Sequence, residues 1–394
     1  MARGFTTGGL DHRRQVGDND SQRLTAVAIS RNAMPQQQLL QPRFLATGIG
    51  SMPFDDPEYA VDVSLRCFPE APIWPQLPRL GLNEQMMIQY CEGMPRAVID
   101  RDKERLYFDT SGDYAEAFAA FYETYLAAMD PGAGNGDCSA LAITPEFSKG
   151  IAALEKRLRA EGGKRPFVKV QTTGPCTFAL GAVDKNKRAL YYNPEFRDMA
   201  VKALAMKCRW QIQKFRPFAG QVICFIDEPI LSAYGSSTYI SVKREDIVAL
   251  LREVIEAVHA DGALAGVHCC GNTEWSILVD AGADILSFDA FGFGETIAMY
   301  PEAMRTHLER GGMLAWGIVP TSEAIREQTV DSLAARLERA MSNLAQKGID
   351  KRRIVEQAII TPSCGAGSMT PEDAEKVFET IAALSAAMRE KHKS

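Results

Sequence analysis

The sequence predicts an α/β protein built as a single (β/α)8 TIM barrel, and three observations carry that expectation. Short apolar runs alternate with amphipathic helical stretches from Phe44 to the C-terminus. Eight such runs can be counted, which favours a closed parallel barrel over a doubly wound sheet. No repeat at a solenoid period competes with this reading.

In chain order, residues 1–40 are rich in Gly, Arg, Asn, Asp and Gln with little periodicity, and are expected to be a disordered N-terminal segment preceding a barrel over residues 41–394. The predicted strands are Phe44–Ile49, Ile73–Leu77, Phe167–Gln171, Val222–Ile226, Ala263–His268, Ile285–Phe288, Met313–Ile318 and Glu356–Thr361, each short, apolar and rich in β-branched or aromatic residues. Helices are predicted at Asp198–Phe215, Arg244–His259, Val330–Lys347 and Pro371–Lys391, where apolar residues recur at helical spacing. Between the second and third strands lies a long insertion, Gly81 to Lys164, with a helix at Tyr114–Ala128 and a glycine-rich loop at Asp130–Asp137. An insertion of that length is expected to cover the mouth of a barrel.

The 394 residues are 46% hydrophobic and 24% charged, an ordinary globular composition, and the net charge of −6 argues against a nucleic-acid surface. No apolar run reaches the roughly 18 residues of a membrane helix. Arg3, Arg13 and Arg14 are not followed by an apolar stretch, so no secretory leader is expected. Nine cysteines in so long a chain then point to a reducing, cytoplasmic setting. Cys67, Cys91, Cys138, Cys176, Cys208 and Cys224 are expected to be small apolar fillers.

The chemistry concentrates at strand exits. Gly266-Val267-His268-Cys269-Cys270-Gly271 ends one predicted strand and Thr361-Pro362-Ser363-Cys364-Gly365 ends another. On an extended backbone His268 and Cys270, two apart, face the same way and Cys269 faces the other. His268, Cys270 and Cys364 are read either as a zinc site with room for an exogenous ligand or as a buried histidine beside two filler cysteines with Cys364 unrelated; their place at strand exits favours the zinc site. Asp289, closing the next strand, is read either as a displaceable fourth ligand or as a helix cap. Ile226-Asp227-Glu228-Pro229 ends a further strand: Asp227 is the candidate catalytic residue and the group that holds a substrate ammonium. Glu228 is grouped with it as substrate-binding, although alternation turns it the opposite way, where it would brace a loop. Gly50 and Ser51, in Gly48-Ile49-Gly50-Ser51, could cradle a carboxylate with backbone amides and a hydroxyl. Thr172-Thr173-Gly174-Pro175 reads similarly, and Trp316-Gly317 is expected to line the pocket.

In this order, Ile49-Gly50-Ser51, Thr173-Gly174-Pro175, Ile226-Asp227-Glu228-Pro229, His268-Cys269-Cys270 and Pro362-Ser363-Cys364-Gly365 resemble the catalytic half of cobalamin-independent methionine synthase, within the superfamily that includes uroporphyrinogen decarboxylase. The resemblance spans about residues 45 to 392. It implies His268, Cys270 and Cys364 as zinc ligands, with Asp289 where the family places a ligating glutamate. It also implies Asp227 on the amino group of homocysteine and Ser51 on its carboxylate. The implied reaction is methyl transfer to a zinc-bound thiolate, most simply homocysteine to methionine. Another thiol such as coenzyme M, or a metal-free lyase reaction, are the alternative readings. The family's folate-protonating histidine has no counterpart in Trp316-Gly317-Ile318-Val319-Pro320, which turns the expected donor from methyltetrahydrofolate toward a methylcorrinoid such as methylcobalamin, free or on a corrinoid protein.

Overall fold

The computed structural model describes Met1 and residues 41–129 and 136–393. The predicted disorder of residues 1–40 and most of the predicted loop at 130–137 therefore lie outside the described residues. The strands are β1 (Leu45–Ala46), β2 (Ala97–Asp100), β3 (Arg105–Phe108), β4 (Arg165–Thr173), β5 (Ala219–Asp227), β6 (Leu264–Cys269), β7 (Ile285–Phe288), β8 (Met313–Val319) and β9 (Ala358–Pro362). Seven of them form one parallel sheet in the order β1-β9-β8-β7-β6-β5-β4. Helices alternate with these strands, as parallel crossovers require. The curled seven-stranded sheet is compatible with a TIM-like barrel.

The second predicted strand does not form a regular ladder. Ile73 makes an isolated parallel bridge to Lys169 of β4, and Gln76 makes one to Ser51 just beyond β1. Pro72, Pro75 and Pro78 punctuate this stretch, and a residue without an N–H cannot sustain a continuous ladder. β1 is likewise shorter than the predicted Phe44–Ile49. The remaining predicted strands appear with ends shifted by a few residues; β4 gains Arg165 and Thr173, whereas β9 starts only after the short helix Lys351–Glu356.

Residues 81–164 contain the helix Ala115–Met129, close to the predicted Tyr114–Ala128, and a second helix, Lys149–Glu161. They also hold the antiparallel hairpin of β2 and β3, which the apolar pattern did not reveal. The four long predicted helices are present as Pro194–Phe215, Arg244–Ala260, Val330–Ala345 and Pro371–Lys391. Three of the four starts are set by side-chain caps: Asn193 accepts from the Phe196 N–H, Thr370 from the Asp373 N–H, and Thr329 and Ser332 form a reciprocal capping box, whereas Arg244–Ala260 starts without one.

Strand alternation divides the core in two. Leu45, Ile49, Ile223, Phe225, Ile285, Met313, Ala315 and Ile359 pack with Phe167 and Leu264 on the sheet's inner face. The opposite face and the helices share the larger cluster, which includes Val168, Cys224, Val267, Leu286, Trp316 and Ile360. Both faces are thus apolar, as expected for a parallel sheet covered by helices. Asp227, His268 and Ser287 have the parity of the inner set and follow it toward the carboxyl ends of the strands. No helix among the described residues is long and apolar enough to cross a membrane.

Candidate metal centre

His268 on β6 neighbours Asp227 on β5 and Ser287 on β7 in register. Ligand atoms of His268, Cys270 and Cys364 all lie within 4.8 Å of one another. Cys364 comes from the loop after β9, nearly a hundred residues away in sequence, so only the curl of the sheet unites the three. His268 is buried, and both thiols are partly exposed. Its Nδ1 lies 3.0 Å from Ser287 Oγ, while Nε2 is buried with no hydrogen-bond partner. A buried imidazole nitrogen left unpaired costs free energy unless something binds it. Beside two thiols it has the donor set of a zinc site with three protein ligands and an open position.

The thiols are electrostatically unequal. Its neighbours, Cys364 first and then His268, draw Cys270 well below the usual thiol range despite burial. The Cys364 thiol is raised, first by its bond to Cys270 and then by burial. One proton shared between two adjacent sulfurs is the state expected of a thiol pair before a cation arrives. Cys269, by contrast, is fully buried and packs in the outer cluster, as alternation predicted.

Asp289 lies outside this three-residue group. It caps the short helix Ala290–Phe293, its Oδ1 accepting from the Gly292 N–H at 2.7 Å. Burial raises its carboxyl, and it is near enough to feel Cys270 and His268. The cap therefore accounts for one oxygen and leaves the ligand role without direct geometric support.

Asp227 stands next to His268 in register, with Oδ1 buried and unpartnered. Burial raises its carboxyl, opposed first by the neighbouring Lys169. An unpaired, buried carboxylate oxygen beside an open metal position is suited to a cationic group of a ligand. Glu228 is not brought into this group. Its oxygens accept from the N–H groups of Cys176 (2.8 Å) and Thr177 (2.7 Å) and from Thr177 Oγ (2.7 Å), at the start of the helix Pro175–Gly181. A Cβ on Gly174 would overlap the Glu228 side chain, so the Thr173-Gly174-Pro175 turn receives this carboxylate rather than a ligand. Trp316 also departs from expectation: it points to the outer face and stacks edge-on with Phe288 at 5.1 Å.

Ser51 Oγ accepts from the Gly367 N–H at 3.2 Å, and Gly50 packs directly on Gln171. Lys169 is a participant the sequence reading missed. It is fully buried, donates to the Ile49 carbonyl and to Gln171 Oε1 (3.2 Å), and lies 4.6 Å from the Phe225 ring centroid. Burial lowers it to about 8. The signal was present in Phe167-Val168-Lys169-Val170-Gln171, where polar residues alternate on the inward parity of an otherwise apolar strand. Buried Glu84 was missed too; it accepts from the Lys149 N–H (2.8 Å) and from Gln89 (3.1 Å). Beside Cys270 a cleft of about 830 Å³ opens, with Ser232, Tyr234, Glu274, Phe293 and Tyr300 in its walls.

No protein family's sequence profile matches this chain, and no curated protein sequence does. Among solved structures it is similar to a methyltransferase from Methanosarcina mazei, with 17% identity, a TM-score of 0.51 and 86% of each chain covered. At that identity the likeness is one of fold.

Proposed function

We propose that this chain is a zinc-dependent methyltransferase that moves a methyl group to the sulfur of homocysteine, giving methionine, on a (β/α)8 barrel whose eighth position is taken by the proline-punctuated stretch 73–77. The observation that carries the reading is the convergence of His268, Cys270 and Cys364, together with the buried and unpaired His268 Nε2 and Asp227 Oδ1. Zinc held there would supply the Lewis acidity that strips an incoming thiol of its proton at neutral pH. His268 is kept in one orientation by Ser287, as second partners of metal-bound imidazoles do. Asp227 takes the substrate ammonium. Ser51 accepts from Gly367, so its own proton stays available to a substrate carboxylate. Glu228 contributes by holding the Asp227 strand end to the neighbouring helix.

The methyl donor is read as a methylcorrinoid, free or carried on a partner protein. The stretch Trp316–Pro320 lacks the histidine that folate chemistry would use, and the cleft beside Cys270 is far larger than a small amino-acid thiol needs. Fold likeness to a methyltransferase agrees with the reaction class. All nine cysteines are free, in keeping with a reducing, cytoplasmic setting.

The test is to incubate zinc-loaded protein with homocysteine and either methylcobalamin or methyltetrahydrofolate, with coenzyme M as a second acceptor, and to follow methylated thiol by mass spectrometry. Methionine from methylcobalamin is the expected product. A protein that takes up no zinc, or that methylates no thiol from either donor, overturns the proposal.

A further inference from the structure

Cys364 lies beyond the end of β9, so the sheet ladder does not hold it. It is bracketed instead by two anchors. On one side the Ser363 N–H donates to the Val319 carbonyl at 2.8 Å, and Ser363 Oγ meets Thr321 N and Oγ at 3.1 Å each. On the other side the loop closes over Ser51. The Ala366 N–H donates to the Ser51 carbonyl at 3.0 Å and the Gly367 N–H to its hydroxyl at 3.2 Å.

The two glycines of this loop are small for the sake of that contact. Neither adopts a positive φ, so backbone freedom is not what they provide. A Cβ on Gly365 would overlap Ser51 Oγ and come within 3.3 Å of Ser51 Cβ; one on Gly367 would lie 3.0 Å from Ser51 Cβ. Ser51 is itself fixed from behind: the N–H of Met52 donates to the Gln76 carbonyl at 2.9 Å and that of Gln76 to the Gly50 carbonyl at 3.1 Å. The serine is thus a peg, with the strand end on one side and the loop of Cys364 on the other.

We infer that Ser51 is a positioning residue for the metal centre: seated in Gly365-Ala366-Gly367, it holds the Cys364 sulfur opposite Cys270 and His268. The inference rests on the reading of those three residues as metal ligands. It adds to Ser51 a role separate from any contact with substrate, and it makes the geometry of the metal site depend on a residue that does not touch the metal.

The test is a double-variant cycle read by zinc affinity, from chelator competition, and by the sulfur-to-cobalt charge-transfer band of the cobalt(II)-substituted protein. In Gly365→Ala the new methyl and the Ser51 hydroxyl compete for one position; the expected loss is about tenfold in zinc affinity, with an altered cobalt band. In a Ser51→Gly background the same substitution meets no hydroxyl and is expected to cost less than about twofold. Equal costs in the two backgrounds, or an unchanged affinity in Gly365→Ala, overturn the inference. Should Gly365→Ala not fold, as circular dichroism would reveal, Ser51→Ala serves. It keeps Cβ, loses the Gly367 bond, and is expected to bind zinc several-fold more weakly with a changed cobalt spectrum; wild-type affinity and spectrum in it overturn the inference. A wild-type chain that binds no zinc overturns the proposed function and this inference with it, whereas a zinc-binding wild type with no cycle coupling overturns this inference alone.

Discussion

Ser287 Oγ approaches His268 Nδ1 to 3.0 Å across the β6–β7 pair, leaving Nε2 as the one ring nitrogen without a partner. The pairing would decide which nitrogen is offered to a metal. Ser287→Ala is therefore expected to lower zinc affinity by about 10-fold or more while leaving the fold intact, because the alanine methyl fills most of the buried serine's volume. Chelator competition on the purified variant, beside its thermal unfolding curve, checks both halves of this statement.

Neighbouring cysteines should behave oppositely. Cys270 shares the inner parity of His268, and Cys269 is sealed in the outer cluster. Cys270→Ser should abolish stoichiometric zinc, as should Cys364→Ser. Cys269→Ala should retain it, with a loss of stability of about 1 kcal/mol from the small cavity left behind. Elemental analysis of the three variants decides the matter, and zinc retained in Cys270→Ser would mean the ligand set is wrong.

Asp227→Asn keeps shape and removes charge. If Asp227 Oδ1 takes the substrate ammonium, the variant should raise the KM for homocysteine by about tenfold or more, the worth of a charge-assisted hydrogen bond. A thiol of similar length without the amino group should be used equally by both forms. Steady-state kinetics with the two thiols make the comparison, and an equal loss for both would remove the recognition role.

Away from the site, His307 gives the fold a pH dependence. It is fully buried, its Nε2 meets the Met313 carbonyl at 3.0 Å, and burial lowers it to about 4 from an ordinary 6.5. Between those values the unfolded chain binds a proton that the folded chain refuses, so stability falls as pH drops from 6.5 toward 4 and is fully present above 6.5. The contribution is on the order of 3 kcal/mol across that window. His307→Gln, which can still donate to Met313, should show a flatter fall in thermal midpoint over the same range. An identical pH profile in wild type and variant would show that other groups control acid unfolding.

Much of the site was legible because strand alternation is a local rule. The period of two was enough to choose Cys270 over Cys269 and to turn Glu228 away from Asp227. Trp316 was misplaced for want of the same rule, since its even position on β8 puts it outside with Phe288. The short hairpin of β2 and β3 escaped notice because its strands are half-exposed, so no apolar run marks them. Lys169 escaped because a single cation in an apolar strand reads as surface until the sheet curls around it.

The sequence by itself determined the class of the fold, the residues with metal-binding chemistry and the face each would take, since these follow from hydrophobic periodicity, ligand type and backbone parity. Only the tertiary structure decided which of them meet. The distance from His268 to Cys364 depends on the curl of seven strands and on a loop seated against Ser51, contacts between residues about three hundred positions apart. Proline placement decided the rest: with three prolines, the stretch 72–78 could join its neighbours only through isolated bridges, and no pattern of apolar residues expresses that loss of donors.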